Sequence, residues 1–113
     1  MKGGSVALAR IQQADGCLKL RPVVIINTMP PYSDVLVCAI SSKLHHKTKD
    51  FDDVIDVSAT DFKSSGLKIS SLIRLGLVAT IPRTAIKGEL GVISSEKLLR
   101  LRERLANYIK AEQ

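Results

Sequence analysis

The sequence contains no tryptophan, only two cysteines and no apolar run long enough to span a membrane. Cys17 and Cys38 are too few for a disulfide scaffold, and no Cys/His spacing is typical of a zinc site. The first ten residues lack the apolar stretch of a signal peptide. These absences argue against the secreted, zinc-dependent and membrane-spanning classes. They predict a reduced, cytoplasmic protein without a metal or cofactor.

Aromatic residues are also scarce, at 4% of a 113-residue chain in which 45% of the residues are apolar. Val, Ile and Leu must therefore build the core, and the length predicts one domain over residues 1–113. The charged residues are unbalanced, with a net charge of +6. This excess favours a polyanionic partner such as RNA, DNA or an acidic protein segment.

Short apolar runs rich in β-branched residues predict a mainly β protein. The run 35–41 is apolar at nearly every position, which predicts burial on both faces, whereas 68–78 alternates and predicts one buried face. Residues 85–91 are interpreted as a turn region. Five or so strands with a terminal helix predict a small, curled antiparallel sheet or barrel. The predicted strands are 5–11, 21–27, 35–41, 52–58 and 68–78.

The C-terminal segment 94–113 predicts the longest helix of the chain, because apolar residues recur at spacings of three and four. A short helical turn is predicted at 60–67, with Gly66 as its left-handed closing residue. The apolar stripe of the C-terminal helix is Leu98, Leu101, Leu105, Tyr108 and Ile109. A second face of that helix carries basic side chains interpreted as solvated surface: Lys97, Arg100 and Arg104.

The loop between the third and fourth predicted strands is rich in charge. Asp50, Asp52 and Asp53, together with Lys47 and Lys49, are interpreted as a solvated cluster. Asp53 or Asp56 is also a possible partner for Arg74, which lies inside the strand that follows and needs a paired or hydrated environment.

Arg21 and Pro22 precede the apolar run "VVII". Proline lacks a backbone donor, so Pro22 is expected at the first residue of a strand or at a sheet edge. Arg21 would then lie at the mouth of a loop. An arginine held there can bind a phosphate bidentately, and it can equally be a solvated charge.

Four segments, in this order, resemble the MazF/PemK/Kid family of toxins from bacterial toxin–antitoxin pairs: "RPVVII", "AISSK", "SGLKISSLIRL" and "GVISSEKLLRLRERL". The resemblance spans nearly the whole chain. It implies a small SH3-like antiparallel barrel of the PemK/CcdB kind, with a C-terminal helix, that forms a homodimer. It also implies metal-independent cleavage of single-stranded RNA, including mRNA, at short sequences through a 2′,3′-cyclic phosphate. The implied partner is an antitoxin whose acidic, disordered tail covers the RNA site.

Matching this sequence to the family residue by residue implies a candidate catalytic site. Arg21 matches the family arginine at the scissile phosphate. Ser41 falls where the family usually has its active-site threonine, Ser42 where it has a serine, and Arg74 on a strand arginine. Serines at these two positions could instead cap the end of a strand. The candidate RNA-binding residues are Lys19, Lys43 and His45.

Three charges of the family pattern are missing from this sequence. Gly76-Leu77 stands where the family has Asp-Gln, Ala79 replaces an arginine, and Ser5 replaces an acidic residue. The loop before Arg21 offers polar residues instead: Gln12, Gln13 and Lys19. The protein is therefore expected to be a ribonuclease with another general base, a weak ribonuclease, or a degenerate member that binds RNA or antitoxin without cutting.

The pair His45-His46 suits proton transfer by residue type, or it is an exposed loop pair. The two are adjacent and lack a third ligand, which argues against a metal site. A gyrase poison of the CcdB kind is disfavoured because the tail "ANYIKAEQ" has no tryptophan.

Overall fold

Six antiparallel strands form one curled half-barrel sheet in the computed structural model, which describes residues 1–12 and 15–111. The strand order is β4-β5-β3-β2-β1-β6. This confirms the mainly β fold class with a C-terminal helix. Gln13 and the end of the predicted helix at 112–113 lie outside the described residues. The elements are β1 (Ser5–Gln12), β2 (Leu18–Met29), β3 (Asp34–Ser41), β4 (Asp53–Ile55), α1 (Phe62–Ser65), β5 (Ser71–Ile81), β6 (Ile86–Val92) and α2 (Ser95–Lys110).

Two elements depart most from their predictions, whereas β2 is longer than predicted and β5 lies about three residues further along the chain. The predicted turn region at 85–91 is in fact β6, which pairs with β1 through two register shifts. This edge strand contains Gly88 and Gly91 and has an irregular burial pattern. The alternation of apolar and polar residues that predicts a strand is therefore absent from its sequence. The predicted strand 52–58 shortens to β4, because the Asp56 carboxylate accepts hydrogen bonds from Ser58 and Ser70 and ends the strand in a turn.

The sheet buries apolar side chains on both of its faces. On one face, Val24, Cys38 and Ile40 pack with residues of α2 such as Leu101. On the other face, a second cluster includes Val37. The predicted burial of residues 35–41 on both faces is confirmed. The prediction of a single buried face for 68–78 is wrong, because Leu72 and Ile73 are adjacent and both fully buried.

The helix α2 covers the first cluster with only part of its predicted stripe. Leu101 is fully buried, and Leu98 and Leu105 pack against the cluster. Tyr108 and Ile109 are exposed, although the Tyr108 ring lies 5.1 Å from the ring of Phe51. Periodicity identifies the apolar face of a helix, but it does not show where the supporting sheet ends.

The basic face of α2 holds the segment around β4, so its interpretation as solvated surface is wrong. The Lys97 ammonium is buried, donates to the Val54 carbonyl over 3.1 Å and lies 3.4 Å from the Asp61 carboxylate. Arg100 donates from Nε and Nη2 to Oδ2 of Asp53, at 2.9 and 2.7 Å. Arg104 donates to backbone carbonyls of the same segment. These bonds tie the helix to the segment that leads into β4.

Ser94 starts α2 by accepting a hydrogen bond from the backbone N–H of Lys97 over 3.1 Å. Replacing an N-cap serine with alanine typically costs about 1 kcal/mol. We therefore expect Ser94→Ala to lower the free energy of unfolding by about 1 kcal/mol in urea denaturation. Ser95→Ala, one residue into the helix, is the matched control and should leave the midpoint unchanged. Equal effects of the two variants would contradict this role of Ser94.

Gly66 closes α1 in the left-handed conformation, at φ +73°, as predicted. A Cβ atom there would also collide with the backbone carbonyl of Leu90 in β6. The turn therefore packs closely against the edge of the sheet. Within the described residues, no helix is long and apolar enough to cross a membrane.

Candidate nucleic-acid interface

Pro22 lies inside β2 rather than at its first residue, since the strand begins at Leu18. It pairs with Leu8 of β1, while the pairing of β2 with β3 begins one residue later, at Val23. The first part of β2 is thus an edge on its β3 side, where a missing backbone donor breaks no ladder. The prediction that Pro22 is the first residue of a strand is wrong, but the alternative prediction of a sheet edge is confirmed. The edge position leaves Arg21 on an exposed stretch of strand.

Three of the predicted catalytic residues share one face of three neighbouring strands. Ala39 of β3 pairs with Val23 on one side and with Arg74 on the other. Arg21 lies two residues before Val23, and Ser41 lies two residues after Ala39. Because side chains of a strand alternate between faces, Arg21, Ser41 and Arg74 lie on the same side of the sheet.

An open groove of about 1230 Å³ lies on this face, and we call it the basic groove. Its floor is apolar and includes Val23, Val37 and Ala39. Arg21, Ser41, Ser42 and Arg74 all line it. No aspartate or glutamate is among the described residues that line it. The other basic side chains of the groove are Arg10, Lys43, His46, Lys68 and Lys87.

A bulge in β5 sets the position of Arg74. Cys38 pairs with Val78 while the next residue, Ala39, pairs with Arg74, so residues 75–77 stand out of the ladder. Gly76 and Leu77, at the family's Asp-Gln position, therefore lie in this bulge. Leu77 lines the basic groove. The sequence departure thus replaces a carboxylate and an amide with an apolar stretch beside Arg74.

Asp52 anchors this bulge and is not part of a solvated cluster, contrary to its interpretation from sequence. Its side chain is buried. Oδ1 accepts from the backbone N–H of Leu75 over 2.9 Å, and Oδ2 accepts from that of Thr48 over 2.8 Å. One carboxylate therefore joins the strand of Arg74 to the loop that follows Ser42.

Burial, and then the nearby Asp52 charge, raises the pKa of the Cys38 thiol to about 12, so this thiol stays protonated.

The aspartates considered as partners of Arg74 have other contacts. Asp53 binds Arg100 of α2. Hydrogen bonds from the Ser70 and Ser58 hydroxyls lower the pKa of the Asp56 carboxyl. The Arg74 guanidinium lines the basic groove instead, half-buried.

Ser41 both ends its strand and lines the groove. Its Oγ accepts from the backbone N–H of Lys43 over 3.1 Å, as a strand-end serine does. A 3-10 turn over Leu44–His46 follows. Ser41 therefore fits both interpretations made from the sequence, a hydroxyl of the candidate site and a serine that caps the end of a strand.

Two of the residues predicted to bind RNA lie outside the groove lining. Lys19 is exposed on β2, and His45 is exposed in the 3-10 turn, and neither lines the basic groove. His46 lines it instead, with its ring centroid 4.3 Å from that of His45. Desolvation, followed by the positive charges of His45, Arg74 and Lys43, lowers the pKa of His46. Among two adjacent histidines, only the geometry of the turn identifies the one that faces the groove.

Sequence reasoning also missed three basic residues of the groove. Arg10 lies in β1, while Lys68 and Lys87 precede and follow β5 along the chain. They are far apart in sequence, and the curl of the sheet brings them together. Within residues 1–12 and 15–111, no three His, Cys, Asp or Glu side chains cluster as metal ligands do.

The structure has a curled six-stranded sheet, a C-terminal helix and a basic groove on one face. The sheet and helix agree with the fold that the sequence resemblance implies for these small toxins. The chain belongs to the PemK/MazF family. The family model for the PemK-like, MazF-like toxin of type II toxin–antitoxin systems matches residues 2–109. No curated protein matches the sequence.

Solved structures agree with this fold at low sequence identity. A Mycobacterium tuberculosis toxin, MazF-mt6, superposes with a TM-score of 0.70 at 20% identity, over 96% of this chain and 99% of that one. A mycobacterial endoribonuclease in complex with its cognate antitoxin gives 0.71 at 12% identity, over 100% and 98%. MazF from Deinococcus radiodurans gives 0.64 at 17% identity, over 97% and 96%.

Proposed function

We propose that this toxin-family protein is a metal-independent endoribonuclease that cuts single-stranded RNA, including mRNA, at short sequences. The observation that carries the proposal is the placement of Arg21, Ser41 and Arg74, at positions matching the family's site, in one basic groove. The protein acts as a single domain over residues 1–113, in the cytoplasm, where its substrate is found.

The groove suits cleavage by the RNA's own 2′-hydroxyl. Attack of that oxygen on the adjacent phosphorus concentrates negative charge on the phosphorane oxygens and leaves a 2′,3′-cyclic phosphate. Preorganised positive groups stabilise such charge most where water is partly excluded. Arg21 and Arg74 supply guanidinium groups that can bind phosphate bidentately, and the hydroxyls of Ser41 and Ser42 can donate to it.

The shape and chemistry of the groove favour a single strand. Basic side chains surround an apolar floor, so phosphates and bases can each find a suitable surface. Bases in a single strand are unstacked and accessible, unlike those within an RNA duplex.

The same basic groove suits an acidic, disordered antitoxin tail, which would compete with RNA for its cations. One structurally similar endoribonuclease was solved with its cognate antitoxin.

We further propose that the protein forms a homodimer, as family members do. Light scattering after gel filtration measures the mass, and a monomer at micromolar concentration would contradict this part of the proposal.

A second function is a toxin-family protein that binds RNA or antitoxin without cutting. It is favoured by the lack of any carboxylate among the described groove residues, together with Gly76 at the position of the family's acid. The described residues of the groove therefore offer no general base of the carboxylate type.

The decisive experiment incubates the purified protein with a long single-stranded RNA in excess EDTA and maps the fragment ends. We expect cuts at a short recurring sequence, each leaving a 2′,3′-cyclic phosphate. The Arg21→Ala variant, purified identically, controls for contaminating ribonucleases. Intact RNA that is nevertheless bound by a folded protein would contradict the ribonuclease proposal and support the binding function.

A further inference from the structure

His46 is held at the basic groove by the backbone of its own turn. Its N–H donates to the Lys43 carbonyl over 3.0 Å, and the N–H of Lys47 donates to the Leu44 carbonyl over 3.1 Å. Two residues later, the N–H of Thr48 is bound by the buried carboxylate of Asp52. The loop is thus tied to the core just after His46.

The groove offers few side chains that can accept a proton. Arginine does not deprotonate in proteins, and lysine and serine hydroxyls require a pH far above neutrality. Imidazole is the side chain that ordinarily titrates near pH 6.5. Among the described residues that line the groove, His46 is the only one of a type whose ordinary pKa lies near neutrality.

We propose that His46 is the general base of RNA cleavage in this protein, standing in for the family carboxylate that Gly76 replaces. The inference rests on the proposed ribonuclease function and names a residue for its proton-transfer step. His46 lies on a different element from Gly76, in the loop after Ser42. It lines the same groove as Arg74, and the Arg74 charge acts on it, so a base and a charge-stabilising group lie in one groove.

In the proposed step, one phosphorus–oxygen bond forms, one breaks, and His46 carries one proton. The neutral imidazole of His46 takes the proton of the 2′-hydroxyl as that oxygen forms a bond to phosphorus. The bond from phosphorus to the 5′-oxygen breaks, and the leaving oxygen takes a proton from water. The imidazolium then returns its proton to solvent, which leaves a 2′,3′-cyclic phosphate and a free 5′-hydroxyl.

The charges around His46 favour the neutral imidazole that a base requires. Lys43 lies in its own loop, Arg74 lies in β5, and the ring of His45 lies edge-to-face with its ring. All three are cationic or can become so. They act in the same direction as the desolvation that lowers the pKa of His46. At neutral pH the side chain is therefore largely deprotonated and ready to accept a proton.

The test compares His46→Gln with His45→Gln in single-turnover cleavage between pH 5 and 8.5, in EDTA. For the wild type, the rate should rise with pH until His46 is deprotonated and then level off. His46→Gln should cut about 100-fold more slowly and lose this rising limb, in line with the usual contribution of a general base. His45→Gln is the matched control. It should keep the limb, moved to higher pH because a positive neighbour of His46 is gone.

A binding assay separates proton transfer from affinity. The probe is a single-stranded RNA in which 2′-O-methyl groups replace the hydroxyls, which prevents cleavage. At pH 8, where His46 is neutral, His46→Gln should bind it as tightly as the wild type does and should melt at the same temperature.

Three outcomes separate the base role of His46 from the ribonuclease function on which it rests. If the wild type cuts and Arg21→Ala does not, but His46→Gln keeps the wild-type rate and limb, His46 is not the base and the ribonuclease proposal stands. If His46→Gln loses affinity in proportion to rate, it is a binding residue and the base role is overturned. A wild type that cuts at no pH overturns both.

Discussion

Arg21→Ala should cut RNA at least about 100-fold more slowly than the wild type, the order of loss expected when one preorganised charge-stabilising group is removed. The Arg21 side chain lines the basic groove from an edge stretch of β2, beside the end of β3 where Ser41 lies. Single-turnover rates in EDTA measure the effect. Because only the arginine fork binds phosphate bidentately, Arg21→Lys should recover affinity more than rate.

Two controls make the Arg21 result specific. Lys63→Ala removes the same charge from an exposed position on α1 that does not line the groove, and it should leave the rate near that of the wild type. Thermal melting checks that Arg21→Ala still folds. Cleavage by a folded Arg21→Ala at the wild-type rate would show that the site lies elsewhere on the protein.

Asp52→Ala should lower the free energy of unfolding by about 3 kcal/mol, because it leaves two backbone donors without their buried acceptor. These donors are the N–H groups of Leu75 and Thr48, at 2.9 and 2.8 Å. The first belongs to the bulge next to Arg74, and the second to the loop that carries His46. Urea denaturation measures the loss, which is large relative to the stability of a small domain.

Asp52→Ala should also cut RNA more slowly than the wild type under conditions where it remains folded. The reason is that Arg74 and His46 both lose the backbone hydrogen bonds that hold their segments in place. Glu103→Ala removes an exposed carboxylate from α2 and is the matched control. It should change neither stability nor rate by much. An Asp52→Ala protein as stable as the Glu103→Ala protein would contradict the anchoring role of the carboxylate.

Sequence patterns predicted the strands with regular apolar runs and the C-terminal helix, because burial of one or both faces leaves a period in the residues. They failed at β6, where glycines and an edge position remove that period. They also failed on the basic face of α2. A helix pattern shows that Arg100 and Lys97 share a face, but it does not show that Asp53 and the Val54 carbonyl lie opposite.

The candidate site shows the same division. Residue types and the family resemblance indicated Arg21, Ser41, Ser42 and Arg74 as one set, and three of them (all but Ser42) share one face of the sheet. Their common face depends on which strands are neighbours and on the bulge at 75–77, and both arise from pairing between distant segments. The choice of His46 over His45 depends on the geometry of one 3-10 turn, which residue type alone does not reveal.

RNA is expected to bind in the basic groove, and nuclear magnetic resonance of methyl groups measures where it binds. The probe is the uncleavable 2′-O-methyl RNA, titrated into methyl-labelled protein. We expect the resonances of Val37, Ala39 and Ala79, which line the groove, to shift with saturation. Those of Ile26 and Leu105, which line a smaller groove beside α2, should stay in place. Shifts concentrated at Ile26 and Leu105, with the groove methyl groups unchanged, would show that RNA binds elsewhere on the protein.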